Sequence, residues 1–149
     1  FVEDTLAILK EYDFPPSQLW IEITERCRDL PISMIKKTVT AFREAGIHIT
    51  MDDYGTGSSS SQMMLELPVE GIKIDMFFVK DILEEKKKQA LVIGMINFAN
   101  AADLKICIEG IENDNLESYL RQFDVTWFQG YHYSRSICQD ELMKLLIKP

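Results

Sequence analysis

Short apolar runs alternate with longer amphipathic stretches along this chain. Leu6, Ile8, Leu9 and Tyr12 predict an opening helix that ends before Pro15-Pro16, where the backbone donor is lost. Leu19-Trp20-Ile21-Glu22-Ile23-Thr24 predicts a first strand. A helix follows over about 32–45, with Ile35, Val39 and Phe42 on one face and Gly46 as its stop. Ile47 to Asp52 predicts a second strand. The loop Asp53-Tyr54-Gly55-Thr56-Gly57 then leads into Ser58–Ser61, which can cap a short helix to about Leu67. Gly71 to Asp75 reads as a third strand. A long helix over about 86–102 carries Leu91, Met95, Phe98 and Ala102 at helical spacing. Leu104 to Ile108 predicts a fourth strand and Val125 to Phe128 a fifth. Asn113 or Asp114 can cap the helix between them, and a last helix covers about 140–147.

Five strands alternating with helices predict an α/β fold with parallel strands and right-handed crossovers. An open doubly wound sheet and part of a (β/α)8 barrel both fit. In both, function gathers at the carboxyl ends of the strands. Those ends carry Glu22, then Asp52-Asp53, then Lys73 and Asp75, then Glu109, then Gln129, while the opposite ends are mostly ordinary loop sequence. This one-sided clustering is the main sequence signal for a site.

Composition narrows the partners. The chain has 149 residues and a formal net charge of −8, so the clustered cations that drive binding to DNA or RNA polymers are missing. A phosphorylated ligand would need metal ions or a few placed cations. Lys86-Lys87-Lys88 reads as a solvated helix face. No apolar run approaches the ~20 residues that span a bilayer, and the acidic start is unlike a signal peptide. Cys27, Cys107 and Cys138 are widely spaced and odd in number, which argues against disulfides or a zinc ribbon and for a reducing, cytoplasmic setting. Cys107, between Ile106 and Ile108, is expected in the core.

Glu22 lies between apolar neighbours. It is either a cation-binding acid or a water-facing residue of an edge strand. Asp52 and Asp53 are sharper, because two adjacent carboxylates repel each other unless a cation lies between them. Hard divalent ions take such oxygen ligands, and water with phosphate completes the shell. A polar turn capping the next helix is the plain alternative. Lys73, a cation between Ile72 and Ile74, either points at the acids or a phosphate or snorkels to the surface. Glu109 and Glu112 offer a metal ligand or general base and a bracing acid, although an acid at a helix start also suits the dipole alone. Gln129 adds a neutral donor–acceptor.

In this order, the segments closely resemble the EAL family of cyclic-di-GMP phosphodiesterases. Glu22-Ile23-Thr24-Glu25 is similar to the family's Glu-Leu-Thr-Glu, and Asp52-Asp53-Tyr54-Gly55-Thr56-Gly57 to its Asp-Asp-Phe-Gly-Thr-Gly. Leu67-Pro68-Val69 with Lys73-Ile74-Asp75, Glu109-Gly110-Ile111-Glu112, and Gln129-Gly130-Tyr131 with Ser134-Arg135 match three further motifs. The resemblance implies a TIM-like barrel that cuts cyclic-di-GMP to the linear dinucleotide pGpG with Mg²⁺ or Mn²⁺. It implies metal binding by Glu22, Asp52 and Asp53. Glu25 would steady the Asp52–Gly57 loop and Lys73 would hold the attacking water. Glu109 would be the general base or a metal-linked carboxylate. Glu112, Gln129 and Arg135 would support or bind substrate.

The family's Glu-Ala-Leu segment and a metal-binding Asn precede this part of the domain. The chain is therefore expected to be a single partial domain over 1–149, about five βα units from the C-terminal part of the barrel. It begins without Met, as a fragment or processed product does. Smaller departures are Met76 where Arg is common, Ile108, Asn113 for Thr and Ser136 for Pro. Little or no turnover is expected from this piece alone. The open ends of such a sheet invite pairing with a second copy. A non-catalytic receptor or interaction module is the alternative from another functional class.

Overall fold

The computed structural model describes residues 1–24, 30–56 and 60–146. Its elements follow the order α1 (Val2–Glu11), β1 (Trp20–Ile23), α2 (Ile32–Glu44), β2 (His48–Tyr54), α3 (Ser60–Glu66), β3 (Gly71–Ile74), α4 (Met76–Val79), α5 (Lys86–Ala101), β4 (Lys105–Ile108), α6 (Asp114–Leu120), β5 (Trp127–Phe128) and α7 (Gln139–Leu146). One parallel sheet carries the strands in the order β1-β2-β3-β4-β5. Spatial order equals chain order, with no reversal. A doubly wound sheet needs a switch point where the order reverses, so this is the arrangement of a barrel segment.

Strand alternation sorts the side chains into two layers. Ile23, Ile49, Met51, Ile74, Ile106 and Ile108 are buried in the layer between sheet and helices. Ile35, Val39 and Phe42 of α2 and Val92, Met95, Ile96 and Ala99 of α5 close that layer from outside. The opposite face carries Trp20, Glu22, Thr50, Lys73 and Cys107, which line a cavity of about 490 Å³ with Trp127 and Gln129. Across it, side chains of the two unpaired edge strands touch: the rings of Trp20 and Trp127 lie 5.1 Å apart, edge to face. At the amino ends of the strands, Glu70 binds His48 at 2.5 Å and Arg43 at 2.6 Å.

Several expectations change. The second strand runs on through Asp52 and Asp53 to Tyr54 instead of stopping at Asp52. The third strand ends at Ile74. Asp75 instead caps α4, a short helix not anticipated, with its Oδ1 accepting from Phe77 N at 2.7 Å. The fifth strand is only Trp127–Phe128, because Thr126 uses its Oγ1 to accept from Ile106 N at 3.1 Å. In α5, Leu91 and Phe98 are exposed and Val92 and Ala99 are buried. That helix is apolar on more than one side, so periodicity alone could not choose the packed stripe; Phe98 stacks on Tyr54 instead. Asn113, not Asp114, caps α6, accepting from Leu116 N at 3.0 Å. Cys107 is half-buried on the cavity side, not in the core. It pairs in register with Lys73, and register partners share a face.

Candidate active site

The acids meet because β2 is irregular where they occur. Met51 pairs with Ile72 and Tyr54 pairs with Ile74, so Asp52 and Asp53 together face Lys73 alone. This is a β-bulge, and Asp53 adopts φ +54 within it. Consecutive strand residues normally point to opposite faces. The bulge removes that constraint and lets both carboxylates reach one place. One oxygen each of Asp52, Asp53 and Glu109 lie within 4.8 Å of one another. Glu109 follows β4 and is anchored by its N–H to Ile74 O at 3.1 Å. The next residue, Gly110, has φ +75, and a Cβ there would come within 2.5 Å of Met76 Cβ. Only glycine makes that turn without strain.

Lys73 is the hub. Its Nζ lies 2.8 Å from Glu22 Oε1, 2.7 Å from Glu109 Oε1 and 3.2 Å from Asp52 Oδ1. Its side chain is only 9% exposed, so it points at the acids and does not snorkel. Burial alone would lower its pKa, but hydrogen bonds to Glu109 and Glu22 and the charges of Glu109 and Asp52 raise it well above the ordinary lysine range. It therefore stays cationic and can donate to an oxygen, but cannot act as a base. Cys107 is driven the other way. Burial, with the charges of Glu109, Glu22 and Asp52, pushes its thiol up to about 11, against the opposing pull of Lys73. It is a thiol at neutral pH, which excludes it as a nucleophile.

The site asks for more positive charge. Asp53 is held above the usual carboxylate value, first by burial, then by the charge of Asp52 and a hydrogen bond with Asp75. Asp52 Oδ1 is buried without a hydrogen-bond partner, although Lys73 Nζ is near. Three carboxylates, Glu22, Asp52 and Glu109, thus lie against one ammonium, and Asp53 and Asp75 crowd beside Asp52 with no cation in contact among the described residues. An orphaned buried oxygen among crowded acids is the donor set of a hard divalent cation.

The remaining candidates are dispersed. Gln129 is at the cavity mouth. Glu112 is exposed and lines a separate groove with Met76, Lys80 and Gly110. Arg135 is exposed, with its guanidinium over Tyr131 at 4.8 Å. Glu25 lies outside the described residues. Glu22 is at Lys73, while the trio at metal-ligand separation is Asp52, Asp53 and Glu109. Two residues at the site had no assigned role from sequence: Asp75 beside Asp53, and Thr50, buried in the cavity wall two positions before Asp52. Strand parity from Asp52 would have found Thr50.

The EAL domain profile matches residues 1–136. The chain belongs to the EAL domain family. Among its relatives, the probable cyclic di-GMP phosphodiesterase PdeB of Escherichia coli is 36% identical over 92% of this chain and 26% of that protein. The EAL domain of Mycobacterium smegmatis DcpA superimposes with a TM-score of 0.91 at 30% identity, covering 97% of this chain and 65% of that one. A standalone EAL protein of Vibrio cholerae, in its c-di-GMP-bound form, gives a TM-score of 0.77 at 25% identity over 85% of this chain and 54% of that one. This EAL chain thus spans about a quarter of PdeB and well under the full length of either structural neighbour. Those neighbours confirm the barrel-like α/β architecture. Among the described residues of this EAL chain, no helix is long and apolar enough to cross a membrane.

Proposed function

We propose that this chain is the C-terminal part of a cytoplasmic, divalent-metal-dependent phosphodiesterase domain that opens cyclic-di-GMP to linear pGpG. The observation that carries the reading is the bulge that brings Asp52 and Asp53 together opposite Lys73. Asp52, Asp53 and Glu22 would hold Mg²⁺ or Mn²⁺, with Glu109 either joining them or accepting the proton of the attacking water. The remaining ligands lie outside these residues. When bound, the ion supplies Lewis acidity and makes a coordinated water more acidic.

The chain's own groups account for the rest. Lys73, permanently charged, orients the water and offsets charge on the phosphate oxygens. The water adds to phosphorus as its proton passes to a carboxylate, Glu109 in the base role, one ring P–O bond breaks, and the leaving oxygen takes a proton from that carboxylic acid or from solvent. Gln129, which lines the cavity, would bind the dinucleotide, with Glu112 and Arg135 in supporting roles outside that cavity. The apolar walls of the cavity, including Trp20 and Trp127, limit the water that competes for these charges.

The test is cyclic-di-GMP hydrolysis in Mg²⁺ or Mn²⁺ by this chain and by a longer polypeptide carrying it. The longer polypeptide is expected to produce pGpG, the short chain little or none. Asp52→Asn in the longer polypeptide should abolish turnover, and an unaffected rate overturns the assignment. Binding without cleavage in excess metal selects a receptor module instead. The exposed edges of β1 and β5 would also let two copies pair, which a solution mass measurement decides.

A further inference from the structure

A second cluster lies on α6 and the segment after β5, built from Asp114, Glu117 and His132. His132 Nε2 is 3.0 Å from Glu117 Oε2 and 3.4 Å from Asp114 Oδ1. Asp114 and Glu117 are three residues apart on a helix, so their side chains lie on one face. His132 is brought to that face by the backbone. Its N–H donates to Ile111 O at 3.0 Å, and Gln129 O accepts from Ile111 N at 3.0 Å. Gly130 permits this contact, since a Cβ there would lie 2.0 Å from Ile111 O.

The carboxylate of Glu117 is divided between two tasks. Its Oε1 accepts from Arg121 Nε at 2.8 Å and from Tyr133 OH at 2.9 Å. These bonds fix the plane of the carboxylate and hold Glu117 ionised below the usual range. Oε2 is left facing His132 and the Asp114 oxygen. A proton on Nε2 can make one well-aligned hydrogen bond, to one of these oxygens. A metal ion can bind all three atoms. Tetrahedral bonds of about 2.0–2.2 Å put neighbouring ligand atoms about 3.3 Å apart. Two of the separations, 3.0 and 3.4 Å, are close to that spacing, and all three atoms lie within 4.8 Å of one another.

The geometry points to a second cation site, held by Asp114, Glu117 and His132, that takes a nitrogen-preferring divalent ion of the Zn²⁺ class. Its fourth position is open to water, because Asp114 is at the solvent face. An imidazole ligand favours Zn²⁺, Co²⁺ or Ni²⁺ over Mg²⁺, whereas the oxygen-only acids around Lys73 favour Mg²⁺ or Mn²⁺. Arg121 and Tyr133 act from behind Glu117, as outer partners orient a metal-binding carboxylate. The site stands independently of the phosphodiesterase reading.

The chain contains two histidines, His48 and His132, so their ring signals can be followed separately by NMR. The experiment adds Zn²⁺ to the chain in excess Mg²⁺, which fills the oxygen-only acids. Zn²⁺ is expected to shift the His132 Nε2 signal and leave His48 in place. Glu117→Gln, and separately Asp114→Asn, should each weaken that response by about tenfold or more. Asp114 is 93% exposed, so its variant keeps the fold even where Glu117→Gln does not. An unmoved His132 signal, or an equal response in Asp114→Asn and the parent chain, overturns the site; the latter would mean a lone imidazole binding zinc.

Discussion

Replacing Lys73 with Met tests whether one buried cation holds the strand ends together. The substitution keeps the volume of the side chain and removes its charge. It leaves Glu22, Asp52 and Glu109, now without the ammonium that lay 2.7–3.2 Å from each. Breaking a buried ion pair by removing one partner costs about 3–5 kcal/mol. Glu22 is 47% exposed and water screens it, whereas Asp52 and Glu109 are 18% and 17% exposed. The lower end, about 3 kcal/mol, is therefore expected. With a urea m-value of about 2 kcal/mol/M, the unfolding midpoint falls by about 1.5 M. The pH dependence has a definite sign. Because the folded protein raises the Lys73 pKa, its stabilisation is complete below the ordinary lysine value of 10.5 and fades as pH rises beyond it. The deficit of Lys73→Met is thus constant from neutral pH to about that value and shrinks above it. Added Mg²⁺ should recover part of the loss, since a second cation can take the place of the first. The assay is urea unfolding followed by circular dichroism, from neutral to alkaline pH, with and without Mg²⁺. Equal midpoints for Lys73→Met and the parent chain at pH 7 would refute the reasoning.

Asp53→Asn should stabilise the metal-free chain at pH 7, because the folded state holds this acid above its ordinary 3.8 and disfavours its charged form. Asparagine also tolerates the φ of +54. The gain should vanish below pH 3.8 and in saturating Mg²⁺; thermal melts across pH check it, and a loss of stability at pH 7 counts against the crowding of acids. Cys107 should alkylate slowly at pH 8, with a rate that climbs about tenfold per pH unit toward its raised value of about 11. Mass-resolved iodoacetamide labelling separates it from the exposed Cys138, and rapid labelling at pH 7 would show an ionised thiolate.

The sequence revealed more of the chemistry than of its geometry. Paired acids after an apolar strand, and a lysine inside another, were legible because burying a charge demands a partner. The partner's identity was less so. Glu22 and Asp52 both meet Lys73, but which acids stand within ligand separation of one another, Asp52, Asp53 and Glu109, depends on geometry that the motifs do not carry. The bulge responsible leaves no hydrophobic signature, because it lies where polar residues have already replaced the alternation. The fold class followed from alternating runs, but both candidate architectures share that pattern. Only strand order, a long-range property, separated them. The packed stripe of α5 and the inward thiol of Cys107 likewise depend on what lies opposite, which local periodicity does not contain.

The contact between Trp20 and Trp127 has an optical consequence. The two rings are the chain's only tryptophans, and they belong to the first and last strands of the sheet. Two indoles at 5.1 Å couple their excited states, so their ultraviolet circular dichroism and emission report one separation, that between the sheet's two free edges. The chain carries its own gauge of how tightly the trough is curled, readable without a label, and sensitive to any strand or second copy that comes between those edges.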